Sequence, residues 1–348
     1  MNIETFYKDK KILITGAAGT IGQELVRQLY ELKAGQLRLM DINETDTFFL
    51  MEEYKESSVY CFLGSVRDLN KLDRLAKGID IIIHTAAYKH VILSEYNPFD
   101  VVQTNIIGVE NVIRAAINNN VPYVIFTSSD KAVNPTNVMG TSKLMGERLI
   151  TAANAVKDSD TIFTSARFGN VIGSKGSVVP LFVKQIKNGG PLTLTDKKMS
   201  RFIMTTEEAA RLVLKSLLIA KGGEVFITKM PVVRIQDLAD VLIEMLAPRY
   251  GYNPSDVKII EIGAKPGEKL YEELISEEEV HRSIELEEAF FVVTPAFKAI
   301  YEKISYIYTH VSSSIPPKRA YVSASEQAMD KPSIKKYLSV NKVLERLI

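Results

Sequence analysis

Short apolar runs rich in β-branched residues alternate along the first half of the chain with longer stretches whose apolar residues recur on one helical face. The short runs lie at Lys11–Thr15, Leu37–Met40, Val59–Leu63, Ile79–His84, Tyr123–Thr127 and Ile162–Ala166. Helical patterns fill the intervals, the longest at Asp100–Asn119 and Gly140–Val156. This alternation predicts an α/β fold with a doubly wound parallel sheet, because consecutive parallel strands need a crossover that a helix supplies.

After about Phe168 the rhythm loosens. Gly173, Gly176, Pro180, Gly189, Gly190 and Pro191 cut the chain into shorter elements, as expected of a smaller lobe that closes over a substrate. Apolar helical faces return at Thr206–Ala220 and Ile235–Leu246. The expected division is a nucleotide-binding unit over 1–168, with chain returns from the later region, a substrate-binding lobe over 169–296 and a C-terminal extension over 297–348. Within the extension, Ser312-Ser313-Ser314 and Pro316-Pro317 predict a loop and Lys342–Ile348 a final helix.

Composition narrows the classes. The 348 residues are 46% hydrophobic and 24% charged, which excludes global disorder. A net charge of +1 provides no field to gather nucleic acid or an anionic membrane, so any anionic ligand must be held by local groups. The single cysteine, Cys61, cannot form an internal disulfide, and Met1–Phe6 carries no signal-peptide stretch. No apolar run approaches the ~18 residues that span a bilayer. A cytoplasmic protein without a membrane span is expected.

The first strand runs into Thr15-Gly16-Ala17-Ala18-Gly19-Thr20-Ile21-Gly22. Glycine tolerates positive φ and has no side chain, so at such a turn it lets a pyrophosphate reach the N–H groups and positive dipole end of the next helix. Set between a strand and an amphipathic helix, Gly16, Gly19, Thr20, Ile21 and Gly22 predict a Rossmann-like dinucleotide site. Asp41 ends the second strand about twenty residues past Gly22, where a carboxylate can accept hydrogen bonds from an adenosine ribose, and it would repel the extra phosphate of NADP. The cofactor expected is NAD. The competing reading of Asp41 is a cap for the helix that begins near Asn43. Ser65 and Val66, after the third strand, are expected to approach the adenine, while Ala86 and Ala87, after the fourth, are small enough to lie flat against a cofactor. His84 reads as a packed strand-end residue, since no second ligand-type residue stands at metal-ligand spacing.

The fifth strand delivers Thr127-Ser128-Ser129-Asp130-Lys131 to the crevice at the carboxyl ends of the strands, where open α/β sheets bind ligands. The glycine spacing resembles that of short-chain dehydrogenases, which carry Tyr-x-x-x-Lys, a tyrosine that exchanges a proton with substrate under the influence of a lysine one helical turn on. Lys143 stands at the lysine position, but Met139 occupies the tyrosine position, and a thioether cannot transfer a proton.

The run Ser128 to Lys143 resembles the active-site signature of the UDP-N-acetylglucosamine 4,6-dehydratases, extended short-chain dehydrogenases of glycan biosynthesis. Tyr88-Lys89-His90-Val91, Thr104-Asn105-Ile106-Ile107-Gly108, Arg167-Phe168-Gly169-Asn170-Val171, Gly173 to Pro180, Met199-Ser200-Arg201-Phe202 and Pro266-Gly267-Glu268-Lys269-Leu270 carry it further, from about Lys10 to Ser276. Some members of that family have tyrosine before the equivalent of Gly140 and others methionine, so Met139 resembles a recognised branch. Two departures stand out: Ser65 replaces a usual aspartate near adenine, and Lys265 replaces an arginine suited to a diphosphate.

The resemblance implies oxidation at C4 of a UDP-sugar, loss of water across C5 and C6, and return of the hydride to C6. It implies Lys131 as the base at C5 and Asp130 as the acid at the C6 hydroxyl, with the C4 proton leaving through Ser129, Asp130 or a water near Lys143. A lysine base must be neutral near pH 7, which Lys89, Lys143 and the oxidised nicotinamide are expected to favour by repelling its charge. Lys89, Asn170, Arg201 and Lys265 are candidate contacts to UDP-N-acetylglucosamine, or else ordinary surface polar groups. The family is commonly dimeric or larger, which implies a homo-oligomer. A UDP-sugar epimerase, a dehydratase releasing a 5,6-unsaturated product, and a non-catalytic NAD-binding scaffold stay open as alternatives.

Overall fold

The computed structural model describes every residue except 1, 56, 157–158, 264–266, 287–289, 298–303, 309–310, 314–316, 318 and 346–348. Six parallel strands lead the chain: β1 (Lys11–Thr15), β2 (Gln36–Asp41), β3 (Val59–Leu63), β4 (Ile81–His84), β5 (Tyr123–Ser129) and β6 (Ile162–Phe168). Their order in the sheet is β3-β2-β1-β4-β5-β6. The chain therefore winds outward from β1 in both directions and leaves a crevice between β1 and β4, where an open α/β sheet takes its ligand. Beyond β6 the sheet continues with the parallel strand Val225–Thr228 and then three antiparallel ones, Phe290–Val293, Ser283–Leu286 and Val311–Ser313.

Helices cover both faces, which is why β4 is apolar almost without interruption and wholly buried. Leu25, Val26 and Leu29 of helix Thr20–Glu31 join Ile12 and Ile14 on one face. On the other, Val109, Val112 and Ala116 of helix Gly108–Asn118 join Leu13, Ile82 and Val124. Each such fully buried Leu or Ile contributes roughly 1.5–3 kcal/mol relative to exposure.

The long helix expected at Asp100–Asn119 is broken into Pro98–Val101, a π-helical stretch Val102–Ile107 and Gly108–Asn118. The cause is local. Buried Asn105 is turned to accept from the Tyr88 N–H (2.8 Å) and to donate to the Tyr88 carbonyl (2.9 Å), and a Cβ on Gly108 would lie 2.7 Å from Val66. Helix Val138–Ala153 starts two residues before the expected Gly140 because Asn137 caps it, accepting from the Gly140 N–H.

A second core lies off the sheet, where Val179, Phe182 and Ile186 meet Leu238, Leu242 and Leu246. The C-terminal extension closes it with Ile334 and Leu338. The extension also corrects the sequence reading. Its helix is Lys331–Val340, started by an Asp330 cap and Pro332 in the first turn. Lys342 takes a positive φ of 51°, residues 341–345 form turns, and 346–348 lie outside the described residues. Ser312 and Ser313 stand in a strand rather than a loop, because pairing with Ser283–Leu286 outweighs the local composition. Ser314 and Pro316 lie outside the described residues.

One buried ion cluster ties these parts together. Arg167 of β6, 1% exposed, donates to both oxygens of Glu147 (2.8 and 2.7 Å), to both of Glu279 (2.8 Å each) and to the Leu274 carbonyl (2.9 Å). Burial alone would raise the Glu279 carboxyl, but Arg167 holds it down at about 2.

Candidate active site

The carboxyl ends of the central strands open onto a cavity of about 800 Å³, and the glycine turn forms its floor. Gly16 has φ +73°, and a Cβ there would lie 2.6 Å from the Ala86 backbone nitrogen and 2.8 Å from Thr85 Oγ1. A Cβ on Gly22 would collide with the Gly16 carbonyl. Gly19 begins helix Thr20–Glu31, and among the described residues no side chain caps that helix. Its first amides and its dipole are left for an anion, with Thr20, Ile21 and Gly22 at the cavity wall. The residues present fit a dinucleotide.

Asp41 sits at the rim, with Oδ2 accepting from the Ala18 N–H (3.0 Å) and Oδ1 from the Asn43 N–H (2.9 Å). The cap of helix Glu44–Glu53 is Asn43, not Asp41. Two of the carboxylate's roughly four acceptor positions remain for a ligand. Ser65 and Val66 also line the cavity; Ser65 Oγ accepts from the Arg67 N–H (3.2 Å) and Asn111 holds the Val66 carbonyl (2.9 Å). Ala86 and Ala87 complete this side. His84 is buried against Thr15 Oγ1 at 2.6 Å, and burial, with Lys143 next, pushes its pKa down to about 3, which keeps the ring neutral.

Ser129, Lys131, Met139 and Lys143 face the same cavity. Lys143 Nζ donates to the Thr127 carbonyl (2.8 Å) and lies 4.6 Å from the Phe126 ring centre; burial lowers its pKa to about 8. Asp130 is fully buried beneath the wall, joined to Ser129 Oγ (2.7 Å) and Lys131 Nζ (3.1 Å) through Oδ1. Lys89 and Asn170 also line the cavity, with Lys89 Nζ on the Lys175 carbonyl (2.7 Å) and Asn170 Nδ2 on the Phe202 carbonyl (3.2 Å). Arg201 is not at that wall. Its guanidinium donates to the Ser200, Lys269 and Leu270 carbonyls and lies 3.5 Å from Glu272. Lys265 lies outside the described residues.

The charge state expected for Lys131 is corrected. Burial does act to lower its pKa, but Asp130 and Glu272 outweigh burial and Arg201, so the ammonium is favoured and the pKa rises. The neighbours that decide it are two carboxylates and not Lys89 and Lys143. Glu272, whose Oε1 lies 3.2 Å from Lys131 Nζ, was not among the sequence candidates. Tyr271-Glu272-Glu273 reads as solvated charge, and its only signal is that it follows Pro266 to Leu270 directly.

A parallel sheet in this order, a glycine turn under an uncapped helix and a lysine on the helix after β5 define an extended short-chain dehydrogenase fold. The family of polysaccharide biosynthesis proteins matches residues 12–294, and the chain belongs to it. It is 53% identical, over 84% of its length and 88% of the relative, to a Methanocaldococcus jannaschii protein named uncharacterized membrane protein MJ1061. It is 37% identical to the inverting UDP-N-acetylglucosamine 4,6-dehydratase of Campylobacter jejuni subsp. jejuni serotype O:2, covering 84% of this chain and 85% of that one. It is also 37% identical to the UDP-glucose 4-epimerase of Rickettsia akari, covering 80% and 82%. The X-ray structure of Pen from Bacillus thuringiensis, 40% identical, superposes with a TM-score of 0.88 over 97% of this chain and 99% of that one. DesIV of Streptomyces venezuelae, a dTDP-glucose 4,6-dehydratase determined with NAD and TYD, shares the fold at a TM-score of 0.66 and 24% identity, over 75% and 86%. The chain is thus of the nucleotide-sugar dehydratase and epimerase class. Among the described residues no helix is long and apolar enough to cross a membrane, and no group of three or more His, Cys, Asp or Glu side chains is placed to hold a metal ion.

Proposed function

We propose that the chain is an NAD-dependent UDP-N-acetylglucosamine 4,6-dehydratase whose product is a UDP-4-keto-6-deoxy-N-acetylhexosamine. The observation that carries this reading is Lys131 at the cavity wall, hydrogen-bonded to Asp130, in a site where Met139 replaces the proton-exchanging tyrosine. A 4-epimerase needs a proton exchanged at the C4 oxygen alone, whereas elimination needs a base at C5 and an acid at C6. The name of the Campylobacter relatives supports the same choice.

The glycine turn and Asp41 would hold NAD, which in this reaction class accepts the C4 hydride and returns it to C6 without net consumption. Lys131 takes the C5 proton and later restores one. Ser129 Oγ, at the wall and 2.7 Å from Asp130, connects the buried carboxylate to the cavity. Along that contact Asp130 receives the C4 hydroxyl proton and passes it to the departing C6 hydroxyl, so the water that leaves carries a proton that began at C4. Lys143 orients the cofactor beside Met139. Lys89 and Asn170 at the wall, and by charge Arg201 and Lys265, are proposed as the UDP contacts, although the Arg201 guanidinium is turned to Glu272 and three carbonyls. The divisions at 168 and 296 and a homo-oligomeric state are part of this reading.

Purified protein incubated with NAD and UDP-N-acetylglucosamine, with products read by mass spectrometry and NMR, tests it. Loss of one water without net oxidation supports the dehydratase. An isomer of unchanged mass establishes the epimerase that the Rickettsia relatives' name favours, and no product from any UDP-hexose leaves only a scaffold.

A further inference from the structure

Glu272 has no task in the reaction as drawn, yet it is among the most buried carboxylates in the protein, at 3% exposure. Its backbone is fastened from the C-terminal extension: the Glu272 N–H donates to Ser323 Oγ (3.0 Å), the Ser323 N–H returns to the Glu272 carbonyl (2.9 Å), and Ser323 Oγ meets Ser200 Oγ at 2.9 Å. The adjoining strand, Glu273–Ile275, pairs with Tyr321–Val322 of the same extension. So held, Glu272 Oε1 lies 3.2 Å from Lys131 Nζ and 3.5 Å from Arg201 Nε, while Oε2 is buried with no hydrogen-bond partner among the described residues. The charged and polar groups facing it are Lys131 and Asp130 from the turn after β5, Arg201 from strand Ser200–Met204, and Ser323. Glu273 is engaged elsewhere, with Asn134 (2.7 Å) and Lys269 (3.9 Å).

We propose that Glu272 is a positioning residue for Lys131, taking the proton of its ammonium across the 3.2 Å contact so that a free amine faces the cavity. The inference rests on the dehydratase reading. The transfer turns one ammonium and one carboxylate into an amine and a carboxylic acid, and no proton leaves the site. Asp130 then stays a carboxylate, free to receive the C4 proton, and the cycle closes because Lys131 returns to the amine when it reprotonates C5. Burial raises the pKa of Glu272 and Lys131 lowers it in part, while Asp130 and Glu272 raise that of Lys131. The Lys131 side chain is 25% exposed. A substrate against the wall takes away that exposure, and loss of solvation shifts an ion pair further toward its neutral form.

The test combines two measurements on the NAD-loaded protein. Carbon-13 NMR with labelled glutamate and lysine follows the carboxyl signal lost in Glu272→Gln and the Cε signal lost in Lys131→Met. Shared titration, with both signals moving in the same pH steps, is expected. Independent titration, Glu272 ionising in the ordinary carboxylate range and Lys131 in the ordinary lysine range, overturns the proposal whether or not the protein is a dehydratase. Turnover of UDP-N-acetylglucosamine is then followed against pH. Wild type should be flat around neutrality, whereas Glu272→Gln should rise about tenfold per pH unit, because its lysine must lose a proton to solvent. Glu272→Asp should restore the flat profile in part. A Glu272→Gln profile as flat as wild type, at any level of activity, contradicts the proposal; a wild type that yields no dehydrated product sinks the parent reading and leaves the NMR result to judge Glu272.

Discussion

The cofactor side and the proton-transfer side of the cavity are built by opposite means. Gly16 to Gly22 form one contiguous segment whose conformation follows from the residues themselves: a positive φ, a missing Cβ, an uncapped helix start. The cluster around Lys131 gathers Asp130, Arg201, Glu272 and Ser323 from four separate segments, and none of them lies within the turn that carries NAD in the proposed reaction. A locally encoded site can be damaged without disturbing the rest of the molecule. An assembled one depends on whatever holds its segments in register.

The largest effect expected from that difference concerns Arg167, which clamps the helix bearing Lys143 to the segment that follows Glu272. Arg167→Met leaves buried Glu147 without its cation and Glu279 with only Arg282 and the Ser276 N–H, and should lower stability by about 3–5 kcal/mol. Denaturant unfolding measures the loss, and in the folded fraction NAD affinity should survive better than turnover. Equal losses in both would erase the distinction between the two sides.

A second effect is set in the cofactor side by His84. Its folded pKa of about 3 lies below the ordinary 6.5, so between these values the unfolded chain binds a proton that the folded one refuses. The contribution is intact above about pH 6.5 and is lost as pH falls toward 3, amounting to about 2 kcal/mol by pH 5. Melting temperature against pH should show this decline, and His84→Gln should flatten it. Glu279 adds its own loss only further down, from 4.5 toward about 2.

A smaller change sharpens the cofactor side alone. Asp41→Ala should narrow the preference for NAD over NADP by about tenfold, or 1.4 kcal/mol, in binding titrations. Unchanged discrimination would remove Asp41 from the ribose.

The same contrast explains what could be read from sequence. The strands, the glycine turn and the placement of Ser129, Asp130 and Lys131 at the end of β5 were legible because each depends on a short run and the few residues after it. Of the two readings of Asp41, the structure removes the cap, because Asn43 fills that place; the ribose contact belongs to the proposed function. Glu272 was not legible, because its burial is produced by Ser323 and Ser200, which lie 51 and 72 positions away. The charge of Lys131 was misjudged for the same reason: Glu272, brought to its Nζ from far along the chain, adds a second carboxylate to the adjacent Asp130. The final helix was missed where Lys331–Val340 derives its buried face from a core built by helices 178–187 and 235–246.

The central claim, that Lys131 is the base at C5, is tested most directly by Lys131→Met in deuterated water with UDP-N-acetylglucosamine. The substitution keeps apolar bulk and leaves the glycine turn and Lys143 in place. Wild type should release 4-keto-6-deoxy product carrying deuterium at C5. The variant should show the absorbance of reduced nicotinamide with a 4-keto sugar that has not lost water, and its product release should fall by ~10²–10⁴-fold. Deuterated product at near the wild-type rate from Lys131→Met would contradict the account.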